Sequence, residues 1–184
     1  MNDVTDVSAL KLEKSRILFD TNVWMLIYGL GANVAQPKMK AYSAAYSNLL
    51  KSTNKIVVND YVLGEFCNRC VRYEYDVRQR QDRTLPRFKE YRSSAHFRDV
   101  MESIRDTCLH ILDDSEYVRV GNTDCDARKA VQDFCNGELD FSDLILVEYC
   151  LLEKLYLMTD DADFVGCGVN LITHNAKLLK SSKV

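Results

Sequence analysis

The sequence feature that most constrains the fold is the alternation of short apolar runs with longer amphipathic segments. Five short apolar runs have the composition of buried strands, and the segments between them carry apolar residues at helical spacing. The predicted strands are Arg16–Asp20, Lys55–Asn59, Tyr117–Val120, Leu155–Met158 and Asn170–Thr173. Strands that alternate with helices form a parallel sheet with helices on both faces. The pattern therefore predicts an α/β fold.

The predicted helices include one extended helical hairpin. Thr21 and Asn22 are suited to cap a nearly all-apolar helix that runs to Leu30, and Asp60 is suited to cap the helix after the second strand. A helical extension is predicted over about 72–112, with helical spacing of Phe97, Met101, Ile104, Cys108 and Ile111. Further helices are predicted at Lys38–Lys51, at Asp124–Cys135 and, capped by Ser142, at Phe141–Lys154.

The length and composition indicate one soluble domain. The chain has 184 residues, of which 47% are apolar and 28% are charged. We expect residues 1–15 to be a polar leader, loose or briefly helical, and residues 16–184 to form the domain. No apolar stretch approaches the ~20 residues that span a membrane. The start of the chain carries acids where a signal peptide would carry bases, so we expect a cytoplasmic protein without a membrane partner.

Charge and cysteine content narrow the functional classes. The net charge is -3, so a nucleic-acid partner would have to meet a local basic patch. The seven cysteines are expected to be reduced thiols. Cys67 and Cys70 form a lone CxxC without a second pair, which favours small apolar residues on a helix face over a zinc site.

Four acidic residues lie where a parallel sheet would bring them together. Asp20 ends the first predicted strand, and Asp161 follows the strand Leu155–Met158. Glu65 lies one or two turns into the helix after the second strand, and Asp143 begins the helix before the Leu155–Met158 strand. Sites of open α/β sheets form beyond the carboxyl ends of the strands, so the sequence predicts that the four acids converge.

Converging carboxylates favour a metal site. Like charges at close range repel each other, and a bound divalent cation removes that conflict. Hard oxygen ligands without a His or Cys pattern favour Mg²⁺ or Mn²⁺, which can activate water for in-line attack on a phosphodiester. Asp163 is a further candidate ligand, whereas Asp140 and Asp160 are predicted to be surface or turn residues. Taken singly, each acid also has a structural explanation. These are a helix cap for Asp20, a solvated helix residue for Glu65, a first-turn acid for Asp143 and a turn residue for Asp161.

The residues around these acids resemble the PIN-domain nucleases. The matching segments appear in the family's order and together span most of the chain. They are Ile17-Leu-Phe-Asp20-Thr-Asn22, Val62-Leu-Gly-Glu65-Phe, Phe141-Ser-Asp143-Leu-Ile-Leu-Val and Leu157-Met-Thr159-Asp160-Asp161-Ala-Asp163-Phe164. The last segment is the most specific of the four. The sequence pattern as a whole is similar to that of toxins of the VapC type.

The resemblance implies a single PIN-like domain and a Mg²⁺- or Mn²⁺-dependent endoribonuclease. It places the catalytic and metal-binding roles on Asp20, Glu65, Asp143 and Asp161. It also implies that Asn22 and Thr159 orient the carboxylates. Members of the family are often homodimers held inactive by an antitoxin, which makes both an antitoxin and a second copy expected partners. This chain is longer than the compact family pattern, and its segment 72–110 is extended.

A basic segment follows the second acid. Between Arg69 and Arg92, arginines and a lysine are interleaved with aromatic residues, a composition that suits single-stranded RNA. Arg69 and Arg72 lie four and seven residues after Glu65, which predicts that they share its helix face and hold the substrate backbone. A solvated helical face with internal ion pairs explains the same composition.

Two alternative functions follow from the same residues. Haloacid dehalogenase phosphatases also place an Asp at the end of the first strand, but they need a second Asp where this chain has Asn22. The other alternative is a catalytically silent PIN-like scaffold that binds RNA or protein. Such a scaffold would ignore both a chelator and Asp20→Asn, whereas an enzyme would lose activity with either.

Overall fold

Six strands lie side by side in the described residues, and every pairing between them is parallel. The computed structural model describes residues 3–30, 35–122, 125–137 and 139–181. The strands are β1 (Val4–Asp6), β2 (Arg16–Phe19), β3 (Lys55–Asn59), β4 (Glu116–Val118), β5 (Tyr156–Met158) and β6 (Leu171–Thr173). Their order in the sheet is β1-β6-β5-β2-β3-β4. The predicted α/β domain with a central parallel sheet is confirmed.

Helices precede or follow the strands along the chain. They are α1 (Thr21–Ile27), α2 (Gln36–Leu50), α3 (Asp60–Gln81), α4 (Phe88–Tyr91), α5 (Ala95–Asp113), α6 (Ala127–Phe134), α7 (Phe141–Glu153) and α8 (Ala176–Ser181). Short 3₁₀ turns occur at Val7–Ala9, Val120–Asn122 and Ala162–Phe164. The predicted start of the sixth helix, Asp124, lies outside the described residues. None of the helices in the described ranges is long and apolar enough to cross a membrane.

The strand order reverses beside β2. From β2 the chain proceeds to β3 and β4 on one side, and it later places β5 and β6 on the other side. This reversal is the topological switch point at which open α/β sheets form their crevices. Strand β2 is fully buried at Ile17, Leu18 and Phe19, as expected for a strand covered by helices on both faces. The site is therefore expected beyond the carboxyl ends of β2 and β5.

The N-terminal segment contributes an edge strand. Val4–Asp6 pairs with Leu171–Thr173 of β6, and Val7 beside it is buried. The prediction that this part of the leader is loose or briefly helical is therefore wrong. Only three residues form the strand, and its partner lies near the other end of the chain. Local sequence patterns carry no information about so distant a pairing.

The cap of α3 differs from the predicted one. Asn59 Oδ1 accepts a hydrogen bond from the Val62 amide at 2.9 Å, so Asn59 is the capping residue and the prediction of Asp60 is wrong. Asp60 instead accepts the amide of Val120 at 3.0 Å. Both residue types are good caps, and the tertiary contact of Asp60 decides between them.

The cap of α7 also differs. Asp140 accepts the amide of Asp143 at 3.0 Å, whereas the hydroxyl of Ser142 donates to Asp140 at 2.9 Å. The prediction that Ser142 caps this helix is therefore wrong. An acid at this position suits the positive end of the helix dipole and fixes the first turn, in which Asp143 lies.

The predicted helical hairpin is formed by α3, α4 and α5. An aromatic cluster joins the three helices, with ring centroids 5.3 Å apart for Tyr75 and Phe88, 5.5 Å for Tyr75 and Tyr91, and 5.4 Å for Tyr91 and Phe97. The predicted apolar face of α5 is buried except at Met101, which is exposed. The buried residues of the hairpin thus extend the hydrophobic core that covers the sheet.

The predicted CxxC residues have different surroundings. The Cys67 Sγ lies 3.3 Å from the Cys108 Sγ on α5, and Cys70 is buried with its Sγ 3.8 Å from the Met25 sulfur. All seven cysteines are free thiols. The pair therefore packs α3 against its neighbours, as expected for small apolar residues on a helix face.

We predict that Asn54→Ala lowers the melting temperature. Asn54 is buried, accepts the Ser15 amide at 3.0 Å and donates to the Leu12 carbonyl at 2.7 Å. Leaving those backbone groups unsatisfied should cost about 1–3 kcal/mol. Each kcal/mol corresponds to roughly 2–4 °C in a domain of this size. Thermal unfolding followed by circular dichroism measures the change. The control is Asn48→Ala at an exposed position of α2, which should not lower the midpoint because alanine favours the helix.

Candidate active site

Asp20 lies at the carboxyl end of β2 and is buried, with 5% of its surface exposed. Its Oδ2 accepts hydrogen bonds from the Thr159 hydroxyl at 2.7 Å and from the Asn22 side-chain amide at 2.5 Å. Its own backbone amide donates to the Met158 carbonyl of β5 at 3.0 Å. The carboxylate is thus fixed between the ends of the two central strands. Residues 21 and 22 lie inside α1, so the prediction that they cap it is wrong.

Glu65 lies in the second turn of α3 and is fixed by two contacts. The Thr21 hydroxyl donates to its Oε2 at 2.8 Å, and Arg69 lies 3.4 Å from its Oε1. Thr21 is completely buried, so its hydroxyl geometry is set by the packing of α1 against α3. The sequence suggested only a capping role for Thr21, because its partner is 44 positions away.

Asp143 lies in the first turn of α7 and faces other acids. Burial raises the pKa of its carboxyl to about 8, with further contributions from Asp140, Asp20, Glu65 and Asp161. Four neighbouring carboxylates therefore oppose its ionisation. Asp140 was predicted to be only a surface or turn residue, and its influence on Asp143 follows from its position as the α7 cap.

Asp161 follows β5 and is more exposed than Asp20. Its amide donates to the Thr159 hydroxyl oxygen at 3.0 Å, and its Oδ1 accepts the Asp163 amide at 3.0 Å. The side chain of Asp163 is exposed. The same Thr159 hydroxyl therefore contacts Asp20 and the backbone of Asp161.

The four predicted acids influence each other electrostatically. Burial is the largest cause that raises the pKa of Asp20 to about 6, the Thr159 hydrogen bond opposes it, and the charges of Glu65 and Asp161 add to the rise. Within the part of the chain that the structure describes, no group of three or more Asp, Glu, His or Cys side chains is arranged to hold a metal ion. The acids lie within range of each other's charge but are not assembled into a coordination sphere.

The two predicted substrate-binding arginines have different positions. Arg69 lies beside Glu65, as the helical spacing predicts. Arg72 instead places its guanidinium carbon 4.0 Å from the centroid of the Phe88 ring on α4. Arg69 therefore contacts Glu65 directly, whereas the Arg72 side chain contacts Phe88, and the role of both arginines in holding the substrate backbone stays a prediction. The long side chain of an arginine can turn away from the face on which its Cα lies and place its guanidinium over a nearby aromatic ring.

A second hydrogen-bond network holds the loop after β5. The buried Tyr42 hydroxyl lies 3.1 Å from the Thr159 carbonyl oxygen and 3.0 Å from Asp160 Oδ1, and it accepts the His174 amide at 2.8 Å. Burial raises the pKa of this phenol. Asp160 also pairs with Lys38 at 2.5 Å, so its carboxylate is engaged in this network. Nothing in the sequence pattern indicates this role of the Tyr42 hydroxyl.

Comparison with known proteins supports the fold. The sheet, its order and its flanking helices are consistent with a PIN-like fold. A chain of VapBC2 from Rickettsia felis, solved bound to a DNA fragment from their promoter, superposes with a TM-score of 0.50 at 14% identity, covering 86% of this chain and 98% of that chain. PAE2754 from Pyrobaculum aerophilum gives a TM-score of 0.47 at 13% identity, covering 93% and 98%. The sequence matches no protein-family model and no curated protein.

We predict that Asp143→Asn stabilises the metal-free protein increasingly as pH rises from about 4 to 8. The ordinary pKa is 3.8 and the folded value is about 8, so the folded state binds the proton more tightly. Stability from this group is therefore complete below the unfolded pKa and is lost as pH rises through the folded pKa. Melting temperatures in chelator should diverge accordingly, by roughly 2–4 °C for each kcal/mol.

The control for this pH series is Asp76→Asn, at an exposed acid of α3 that forms no ion pair among the described residues. Its melting temperature should track that of the wild type at every pH. A constant difference between Asp143→Asn and the wild type would show that Asp143 is ionised in the folded protein throughout this range.

Proposed function

We propose that this chain is a Mg²⁺- or Mn²⁺-dependent endoribonuclease. The proposal is supported mainly by four acids from four separate segments that lie within range of each other's charge. Asp20 and Asp143 have raised pKa values because neighbouring carboxylates add to the effect of burial. Carboxylates that repel each other in this way are stabilised together by a divalent cation.

The donor set fits a hard cation. Asp20, Glu65, Asp143 and Asp161 would hold the ion, with Asp163 as a further candidate. Their oxygens are the ligands that Mg²⁺ and Mn²⁺ prefer, and Asn22 and Thr159 already fix one oxygen of Asp20. When bound, such an ion supplies a polarised phosphate and a water of lowered pKa. Small side-chain movements would have to complete the coordination, since the described acids are not arranged for it as they stand.

The protein's own residues would orient the reaction. Thr21 holds Glu65, and the cap at Asp140 fixes the helix turn that carries Asp143. Arg69 lies beside Glu65 with half of its side chain exposed, so its guanidinium can contact a substrate phosphate next to the acids. Fixed groups of this kind hold the phosphodiester in position for in-line attack.

A protein partner forms the second part of the proposal. We propose that the chain is the toxin of a toxin–antitoxin pair and forms a homodimer. The support is the PIN-like resemblance, together with a fold shared with a chain of the VapBC2 complex. Such a partner would inhibit cleavage, so the chain must be purified free of other proteins before its activity is measured.

We predict that the purified wild type cleaves RNA and that Asp20→Asn does not. A pool of tRNA and single-stranded RNA is incubated with Mn²⁺ or Mg²⁺, and the products are separated on denaturing gels. Chelator should abolish wild-type cleavage, because carboxylate-bound cations carry the reaction. Removal of an essential charged ligand typically costs several orders of magnitude in rate. The exposed Asp76→Asn serves as the matched control and should cleave like the wild type.

The result separates the nuclease from a silent scaffold. Cleavage that survives in Asp20→Asn would point to a contaminating ribonuclease. If the folded and partner-free wild type is as inert as Asp20→Asn on every RNA tested, the scaffold that binds RNA or protein becomes the better explanation.

We also predict that Thr21→Val weakens Mn²⁺ binding by about 10–100-fold, the usual effect of removing a group that orients a ligand. Valine has nearly the same shape, but it lacks the hydroxyl that donates to Glu65 at 2.8 Å. Isothermal titration calorimetry measures the dissociation constant. Thr107→Val on α5 is the matched control, because among the described residues its hydroxyl bonds only to the Ser103 carbonyl of the same helix. Equal Mn²⁺ affinity in the two variants would remove Thr21 from the site.

A further inference from the structure

A cleft of about 770 Å³ lies between α3, α4 and α5, and none of the acids described above contributes to it. Its walls carry three arginines, two phenylalanine rings and several other apolar side chains. The lining residues that matter here are Asn68, Arg72, Phe88, Arg92, Arg98 and Met101. A cleft of this volume is in the range of ligand-binding sites.

The cleft is strongly cationic. It is lined by Arg72, Arg92 and Arg98, and no Asp or Glu is among its lining residues. Among the described side chains, none of these three arginines has a carboxylate within ion-pair distance. In a chain with net charge -3, three arginines without acidic partners around one cleft are a local concentration of positive charge. The composition fits an anionic ligand.

One of the arginines is held in place by a ring. The Arg72 guanidinium lies over the Phe88 ring, and that ring packs edge-on against Tyr75, with centroids 5.3 Å apart. The aromatic cluster of the hairpin therefore holds the ring that the Arg72 guanidinium contacts. A guanidinium plane can stack on a nucleobase on its open face and donate to phosphate at its edge.

The beginning of α5 opens onto the same cleft. Ser94, Phe97 and Arg98 from this helix start line it. The Ser94 hydroxyl, although buried, has no hydrogen-bond partner among the described residues, and it does not cap the helix. The first amides of a 19-residue helix thus lack a side-chain cap and carry the positive end of its dipole. This adds a second preference for anions that is independent of the arginines.

The cleft begins next to the carboxylate site. Glu65, Asn68 and Arg72 lie on α3 at positions i, i+3 and i+7, which share one side of a helix. At 1.5 Å per residue, Asn68 is only about 4.5 Å along the axis from Glu65, and Arg72 about 10 Å. Arg69 lies between them beside Glu65. A polyanion bound at the acids would pass directly into the cleft.

We propose that this cleft binds the single-stranded RNA segment that adjoins the cleaved phosphodiester, an inference that rests on the proposed nuclease function and specifies its substrate class. The arginines and the α5 N-terminus bind phosphates. The Arg72 plane and the apolar side chains of Met101 and its neighbours accept unstacked bases. Bases of an A-form duplex are stacked and paired, so they cannot enter a cleft of this kind. The cleft therefore selects single strands over duplexes.

The test is RNA binding by the full chain in chelator, where the carboxylate site cannot cleave. Fluorescence anisotropy measures the dissociation constant of a labelled 12-nucleotide single strand over a series of salt concentrations. Arg92→Ala combined with Arg98→Ala should raise the constant roughly tenfold or more. The salt dependence of a single strand has a slope of about 0.7 per phosphate contact, so the slope should fall by about 1.4.

The matched control is Arg105→Ala combined with Lys129→Ala. These cations are exposed on α5 and α6, and each is paired with an acid of its own helix. The control also removes two positive charges, but at positions outside the cleft. Its dissociation constant for the single-stranded RNA should therefore stay within about twofold of the wild-type value. Unchanged melting temperatures establish that both double variants are folded. An unlabelled duplex of the same sequence should compete poorly.

The other outcomes distinguish failure of the cleft proposal from failure of the nuclease proposal. Equal weakening by both double variants means that binding depends on overall charge, and no weakening by either means that the cleft is not used. A wild type that binds duplex as tightly as single strand contradicts the selection argued above. If cleavage depends on Asp20 but the double variant Arg92→Ala with Arg98→Ala binds RNA like the wild type, only the cleft proposal is overturned. Cleft-dependent binding without cleavage by the wild type overturns only the nuclease proposal.

Discussion

The hydroxyl of Thr159 is the contact on which the geometry of the site depends. It donates to the Asp20 carboxylate at 2.7 Å and accepts the Asp161 amide at 3.0 Å, and the Asn22 side chain lies 3.2 Å away. These bonds join the ends of β2 and β5, which are the two strands beside the switch point. Without them a carboxylate that is 5% exposed would be buried without adequate partners, at a cost of several kcal/mol. The loop after β5 and the acid after β2 are therefore fixed as one unit.

This arrangement places several mutually repelling carboxylates at the edge of the buried sheet. Thr159 lowers the pKa of Asp20, while burial and the charges of Glu65 and Asp161 raise it to about 6. The acids thus oppose folding at neutral pH in the absence of a cation. The continuous apolar strands beneath them, buried at Ile17, Leu18 and Phe19, offset that cost through packing. An acid buried among apolar residues is typical of functional sites. Here the buried Asp20 lies where the sheet topology predicts a crevice.

The sequence predicts the strands and the converging acids because both follow from local patterns. An apolar run that ends in Asp20 identifies both a buried strand and the acid at its end. Contacts between residues far apart in the sequence determine the features that local patterns do not predict. Asn59 caps α3 because the Asp60 carboxylate accepts the amide of Val120, 60 positions away. β1 forms because β6 offers an edge at the other end of the chain. Helical spacing predicts on which side of α3 Arg72 lies. It does not predict that the Arg72 side chain contacts the ring of Phe88 on α4.

Helix α3 joins the two parts of the molecule on which the proposed function depends. It starts at the sheet, carries Glu65 and Arg69 beside the acids, and continues into the hairpin as the wall of the cationic cleft. Its 22 residues make it about 33 Å long. The aromatic cluster around Tyr75 packs α4 and α5 against its distal half, so the arginines of the cleft keep a fixed distance from Glu65. A substrate held in the cleft would then be positioned at the carboxylates by a rigid element, and the hairpin that lengthens this chain would act on substrate position through α3.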